Sequence, residues 1–367
     1  MSSKFGKVLI VTLFGQSHGK AIGAVMDGLP AGETVDAEAV KAFMRRRCGG
    51  RSDLVTQRKE PDEPVFLSGI EQGRTCGFPL AFIIENRDVR SEDYEALSQI
   101  PRPGHADFTA FIKYGGWADM RGGGHFSGRL TAPLCAAGGI AMQILERRGI
   151  FVGAHLHSVG SQMDRPYSPA ELTVEELLGP GKKEFPAIDG LAARRMAWEI
   201  ADAAAQGDSV GGVIECGVLG LPPGLGWPMF DGLENQLAAA LFGIPGVKGL
   251  EFGAGFSSAE LRGSANNDPF HTTKEGKVVT LTNHHGGALG GITTGMPVIL
   301  RAAVKPTPSI SIKQKSVELP GGRPAVLEIK GRHDPCVALR AVPCVEAVTA
   351  LVVLDMMLQE GLIRHGE

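Results

Sequence analysis

Aromatic residues are scarce in this chain: three Trp, three Tyr and 16 Phe amount to 6% of 367 residues. Excess charge of either sign is also missing, since 37 Lys+Arg face 40 Asp+Glu for a net charge of -3, so no global basic field exists to hold nucleic acid and any anion site must be built locally. None of the six cysteines (Cys48, Cys76, Cys135, Cys216, Cys336, Cys344) forms a C-x-x-C pair. Free thiols in a reducing cytoplasm are therefore expected. Met1 to Lys7 is too polar for a signal-peptide core, and the longest apolar stretch, Val342 to Leu358, is interrupted by Glu346 and Asp355. No membrane span is expected, and a cytoplasmic protein is. Disorder is excluded by a hydrophobic fraction of 43% against 21% charged residues.

Glycine is abundant instead, at 51 residues, roughly twice the usual share of about 7%. Glycine at that density without a collagen period predicts many tight loops and close backbone approaches. Strands are expected over Lys7–Phe14, Ala21–Met26, Val65–Ile70, Phe78–Ile84, Phe151–Val159, Val210–Leu219, Val247–Phe252, Met296–Val304 and Ala325–Ile329. Helices are expected over Asp36–Arg47, Gly190–Gln206 and Gly232–Phe242, with a short one opened by the capping box Ser168-Pro169-Ala170-Glu171. Two further helices, Thr131–Arg148 and Pro343–Gln359, are apolar nearly all round and should be buried. The first carries Pro133 in a first-turn position, and the second is read as beginning at Pro343. The segment 86–124 reads as one long irregular region dense in Arg, His, Asp and Gly. Paired strands, then helices, with no regular βαβ run, predict an α+β fold. No linker divides the chain, so residues 1–367 are expected to form one domain.

Several local patterns carry chemistry. Gly15-Gln16-Ser17-His18-Gly19 matches the G-x-S-x-G pattern of a hydrolase nucleophile elbow, but a strand-like segment follows where the elbow needs a helix. A plain hairpin turn, or a working His18 at a strand end, are the other readings. Arg102-Pro103-Gly104-His105-Ala106-Asp107 puts a second histidine in a rigid turn beside an arginine. Arg121-Gly122-Gly123-Gly124-His125 precedes the first buried helix, a pattern suited to cradling a phosphate on bare N–H groups. Arg45-Arg46-Arg47, followed by Arg51, Arg58 and Lys59, could steer a polyanion. Lys305-Pro306-Thr307-Pro308-Ser309 is a stiff loop with a cation and two hydroxyls, and Arg332-His333-Asp334 offers a carboxylate with Arg340 downstream. His284-His285 has no acidic or cysteine residue at ligand spacing nearby, and no metal is expected.

These segments, in this order, resemble the chorismate synthases. The matching stretches are GQSHG at 15–19, RRR at 45–47, TQRKEPDE at 56–63, RPGHAD at 102–107 and RGGG at 121–124. GDSVGG at 207–212, VKGLEFGAGF at 247–256, GGALGGITTG at 286–295, KPTPSI at 305–310 and GRHDPCVALRAVP at 331–343 continue the series. The commoner members have Glu where this chain has Gln16, and R-S-S-A-R-E-T where it reads His125-Phe126-Ser127-Gly128-Arg129-Leu130-Thr131. The resemblance implies helices sandwiched between antiparallel sheets, usually in a homotetramer. It implies the conversion of 5-enolpyruvylshikimate 3-phosphate to chorismate and phosphate, a 1,4-elimination that requires reduced FMN without net redox change.

By the same resemblance His18 would assist the leaving phosphate, His105 the reduced flavin and Asp334 the proton removal, with Ser17 and Ser127 supporting them. Arg47, Arg121, Arg129 and Arg340 would hold the substrate's carboxylates and phosphate. FMN would contact His125, Phe126, Ser127, Pro245, Gly246, Gly290, Lys305, Pro306, Thr307, Pro308, Ser309 and Arg332. Arg46 and Arg51 would match the positions of NADPH in members that reduce their own flavin. Two other classes stay open on the residues alone: a serine hydrolase using Ser17, and a non-catalytic flavin- or phosphate-binding module.

Overall fold

The computed structural model describes residues 3–50, 54–56, 60–87, 99–329 and 333–366. Two antiparallel five-stranded sheets enclose a helical layer. The N-terminal sheet runs in the order Lys4–Phe5, Ile10–Gly15, Ala21–Asp27, Leu80–Glu85, Val65–Ser68. The second runs Val247–Phe252, Val298–Val304, Gly212–Leu219, Phe151–Val159, Gln162–Met163. Between them lie the helices Thr131–Glu146 and Val337–Gln359, each almost wholly buried. The first packs on the N-terminal sheet and the second on strands Phe151–Val159 and Gly212–Leu219. The expected α+β sandwich is the observed one.

Sequence explains why the two helices lie so close. A Cβ on Gly138 would sit 2.3 Å from the Cβ of Ala347, so only glycine lets the backbones approach to that depth. The two acids that interrupt the apolar 337–359 helix join it to its surroundings. Glu346 takes a bidentate pair from Arg46 (2.6 and 2.8 Å) and an N–H from Ala154 (2.8 Å). Asp355 accepts the backbone N–H groups of Lys7, Val8 and Leu9 at 2.9, 2.8 and 2.7 Å, which anchors the N-terminal strands on the helix. The length and composition of this helix would suit a membrane span, but its apolar window is buried inside the molecule.

Three expectations need correction. The last helix begins at Val337 rather than at Pro343, so the proline lies inside it. Proline there removes one backbone donor, and burial on all sides outweighs that loss. The short helix is Val174–Leu178, capped by the Thr173 hydroxyl accepting from the Glu176 N–H at 3.2 Å. Thr173-x-x-Glu176 satisfies the same pattern as the box at 168–171, and the later one is used. The region 86–124 holds a helix, Asp107–Tyr114, closed by left-handed Gly115 (φ 59°).

A buried triad on the second sheet makes stability depend on pH. His155 lies opposite Glu215 in register and bonds it through Nε2 (3.0 Å), while Nδ1 meets Asp164 (3.2 Å). Burial opposes the imidazolium, but the hydrogen bonds and charge of Asp164 and Glu215 outweigh it and raise the His155 pKa. A raised folded-state pKa gives stability that is full below the unfolded value of about 6.5 and is lost as pH rises through the folded value. The melting temperature of the wild type should therefore fall toward that of His155→Gln as pH increases above about 6.5. Melting curves across that range check it, and a gap that stays constant overturns it. His157 also lies within 4.8 Å ligand-atom range of His155 and Glu215, and the two histidines form an H-x-H pattern in sequence. His155 already has carboxylates on both ring nitrogens, the arrangement of an ion triad.

Candidate active site

The N-terminal hairpin, the 102–107 turn, the glycine loop, the 245–246 turn, the 305–309 loop and the start of the last helix converge on one cavity of about 1550 Å³. Two histidines are set by the glycine loop. Gly122, Gly123 and Gly124 all have positive φ (59°, 90° and 55°). A Cβ on Gly122 would lie 2.2 Å from His18 Cε1 and 2.8 Å from Ser17 Oγ. One on Gly123 would lie 3.1 Å from His105 Nε2. The glycines thus seat two imidazoles against adjacent residues of one backbone. The helix does not start directly after them as expected: the 3-10 turn Gly128–Leu130 separates them from the helix at Thr131.

His105 has a fixed orientation. Its Nδ1 meets Asp107 Oδ1 at 2.7 Å, and Arg102 forks onto the same carboxylate at 2.7 and 2.8 Å. Desolvation raises the Asp107 pKa, yet the hydrogen bonds of Arg102 and His105 win and hold the carboxyl well below the usual range. An ionised Asp107 accepting Nδ1–H turns Nε2 toward Gly123 and the cavity, the logic of a base and its orienting carboxylate. In sequence this pairing shows only as the H-x-D pattern His105-Ala106-Asp107.

Elsewhere in the lining Asp334 accepts the Thr56 N–H (2.8 Å) and an Arg340 guanidinium N–H (2.6 Å), while Arg340 Nε donates to the Arg47 carbonyl (2.7 Å). Arg47 and Arg129 are buried, and both are paired to Asp62. Arg47 also donates to Thr131 Oγ1 (2.9 Å), and Arg129 to Glu60 (2.5 Å) and Asn86 (3.0 Å). Burial alone would lift the Asp62 pKa, but the charges of Arg47 and Arg129 bring it down. Asp62 is the hub that the sequence did not reveal.

The loop Lys305–Ser309 docks on the histidine turn: Lys305 Nζ donates to the Gly104 carbonyl, and Arg102 Nη1 reaches Ser309 Oγ at 3.4 Å. His125, Phe126, Ser127, Pro245, Gly246 and the whole of 305–309 line the cavity. His125 is held by the Gly15 carbonyl (2.7 Å) and Ser3 Oγ (2.8 Å), and Ser127 caps the next turn through the Arg129 N–H (3.3 Å). Lys248, not foreseen, lines it too.

Other expected residues are placed elsewhere. Ser17 and His18 sit behind Gly122 rather than in the lining. Arg46 turns to Glu346, and its guanidinium does not reach the cavity. Arg121 is half exposed and forks onto Asp119 at 2.9 and 2.8 Å, outside the lining. Gly290 forms the turn of the small hairpin Ala288–Leu289/Ile292–Thr293, away from the cavity wall. Arg51 and Arg332 fall outside the described residues. The elbow reading fails on topology: Ser17 joins two antiparallel strands, Ile10–Gly15 and Ala21–Asp27, and its Oγ has no base bonded to it.

Comparison with known proteins decides the family. The chorismate synthase profile matches residues 9–358. The chain belongs to the chorismate synthase family. The chorismate synthase of Thermococcus kodakarensis is 50% identical over 363 residues, covering 98% of this chain and 99% of that one. That of Pyrococcus abyssi is 49% identical over 354 residues, with 96% and 97% covered. A crystal structure of a chorismate synthase superposes with a TM-score of 0.77 at 27% identity, covering 97% of this chain and 93% of the other. As a chorismate synthase this chain is a lyase, acting on a small molecule.

Proposed function

We propose that the cavity binds 5-enolpyruvylshikimate 3-phosphate together with reduced FMN, and that its wall residues perform the 1,4-elimination to chorismate and phosphate. The observation that carries this reading is the convergence of His105, Ser127, Asp334, Arg340 and the 305–309 loop, distant in sequence, on a single space of about 1550 Å³. The residues suit a flavin phosphate and ring. Thr307 Oγ1 is buried without a partner, Lys305 and Lys248 bring cations, and Gly246 (φ 97°) keeps its turn free of a side chain. Phe126, Val337 and Ala341 supply apolar wall. When bound, reduced FMN supplies electron density to the substrate without net oxidation.

The chain's own residues do the rest. Asp334, steadied by Arg340 and the Thr56 N–H, is an acceptor for the proton that leaves carbon. His105, oriented by Asp107, presents Nε2 for proton exchange. His18 packs against Gly122, and by the family resemblance it would assist a phosphate leaving on that side. Arg340 pairs an anionic group of the substrate. A homotetramer fits the exposed Trp117, Phe230 and Phe256, which a second copy would cover. NADPH-dependent flavin reduction lacks support at Arg46, whose guanidinium is held by Glu346.

Anaerobic incubation with 5-enolpyruvylshikimate 3-phosphate and chemically reduced FMN, followed by chorismate absorbance, tests the reading. Rapid product that is absent with oxidised FMN is expected. No product under reducing conditions would leave a flavin-binding protein without the elimination.

A further inference from the structure

Five of the six cysteines have the surroundings of inert thiols or lie apart from the cavity, and one does not. Cys344 lines the cavity floor, at the point where the two central helices meet. Its Sγ is 3.8 Å from Cys135 Sγ on the neighbouring helix. One turn further along both helices, Gly138 meets Ala347 in backbone contact. The helices therefore run side by side in the same sense, with their axes held together where the two thiols face one another. A disulfide needs about 2.05 Å between sulfurs and Cα atoms within about 7 Å, which side chains on helices this close can reach by small rotations.

The two sulfurs differ in character. Cys344 is drawn down below the usual thiol range, by the hydrogen bond from Cys135 first and by the charges of Arg47 and Arg340 against desolvation. Burial pushes Cys135 up, and it stays a thiol that donates to its partner. Cys48 and Cys336 are pushed up to about 11 by burial, and Cys216 higher still.

We propose that Cys344 is an oxidant-reactive thiol and that Cys135 resolves it into a disulfide between the two central helices. The oxidant is a hydroperoxide that enters through the cavity. The Cys344 thiolate attacks the O–O bond of hydrogen peroxide, forming an S–OH group and releasing hydroxide. Cys135 sulfur then displaces the hydroxyl as water. The sum is two thiols and one hydrogen peroxide giving one disulfide and two waters, with both sulfurs oxidised by one electron each and the peroxide reduced by two. Closure draws in the cavity floor and removes the thiol that faces the Arg340 carbonyl at 3.4 Å, one turn from the guanidinium that holds Asp334.

The test treats the full-length protein with hydrogen peroxide, blocks remaining thiols with N-ethylmaleimide after unfolding, and maps peptides by mass. Expected are loss of two blockable thiols, a dithiothreitol-reversible Cys135–Cys344 peptide pair, and oxidation of Cys344 at least about tenfold faster than of Cys216 or Cys336. Cys135→Ser should leave a sulfenic acid at Cys344 that dimedone captures. Both cysteines fully blockable after peroxide, or no dimedone adduct in a folded Cys135→Ser protein, would overturn the proposal. A reversible fall in chorismate formation should accompany the cross-link. That last effect rests on the proposed function, whereas the peptide pair does not.

Discussion

Gly122→Ala should lower kcat by about 10²-fold or more while costing only about 1–3 kcal/mol of stability. The methyl group would meet His18 Cε1 at 2.2 Å and Nδ1 at 2.3 Å, so the ring must move by more than an ångström or the loop must lift. Neither is free. The next residue packs on His105, whose Nε2 would lie 3.1 Å from a Cβ on Gly123, and the Gly124 carbonyl accepts the Ser17 N–H at 3.1 Å. A lifted loop therefore disturbs both histidines together. The left-handed φ of 59° adds its own strain of about 1 kcal/mol for an L side chain. Gly190→Ala is the control, since nothing lies within 4 Å of its Cβ and it opens a helix far from the cavity. Steady-state kinetics and melting curves of the two variants separate the effects. A Gly122→Ala enzyme with wild-type kcat would show that His18 has no part in turnover.

Much of this site was legible because its motifs are short and rigid. The buried helices, the paired strands between glycine turns and the histidine turn at 102–107 follow from local pattern. What pattern could not give is direction. Arg46 and Arg47 are neighbours in one basic run, yet successive residues at a helix end diverge by about 100°. Arg46 consequently crosses to Glu346 on the last helix, whereas Arg47 turns inward to Asp62, and Arg45 stays exposed. The glycine triplet was similarly ambiguous: bare N–H groups and room for an imidazole ask for the same residue, and only the position of His18 and His105 reveals the second of these roles. Asp62 left no sequence signal because it is one of three acids within TQRKEPDE, and its importance arises from the two distant arginines it joins.

That junction carries the second large expectation. Asp62→Asn should destabilise the protein by on the order of 3–5 kcal/mol, the cost of removing one partner from a buried ion pair. Both guanidiniums it serves are buried, and Glu60 remains only for Arg129. Asparagine is the right replacement because Asp62 has φ 49°, a conformation that asparagine tolerates as well as aspartate, so charge is removed without backbone strain. The pH dependence distinguishes charge from shape. Asp62 has a lowered pKa, so its contribution is present above the unfolded value of about 3.9 and is lost as pH falls through the folded one. The stability gap between wild type and variant should accordingly be widest at neutral pH and close in acid, as protonation turns the wild-type carboxylate into a neutral group. Denaturant melts at a series of pH values measure this directly. A gap independent of pH would mean that Asp62 acts through packing and that Arg47 and Arg129 are held by other means.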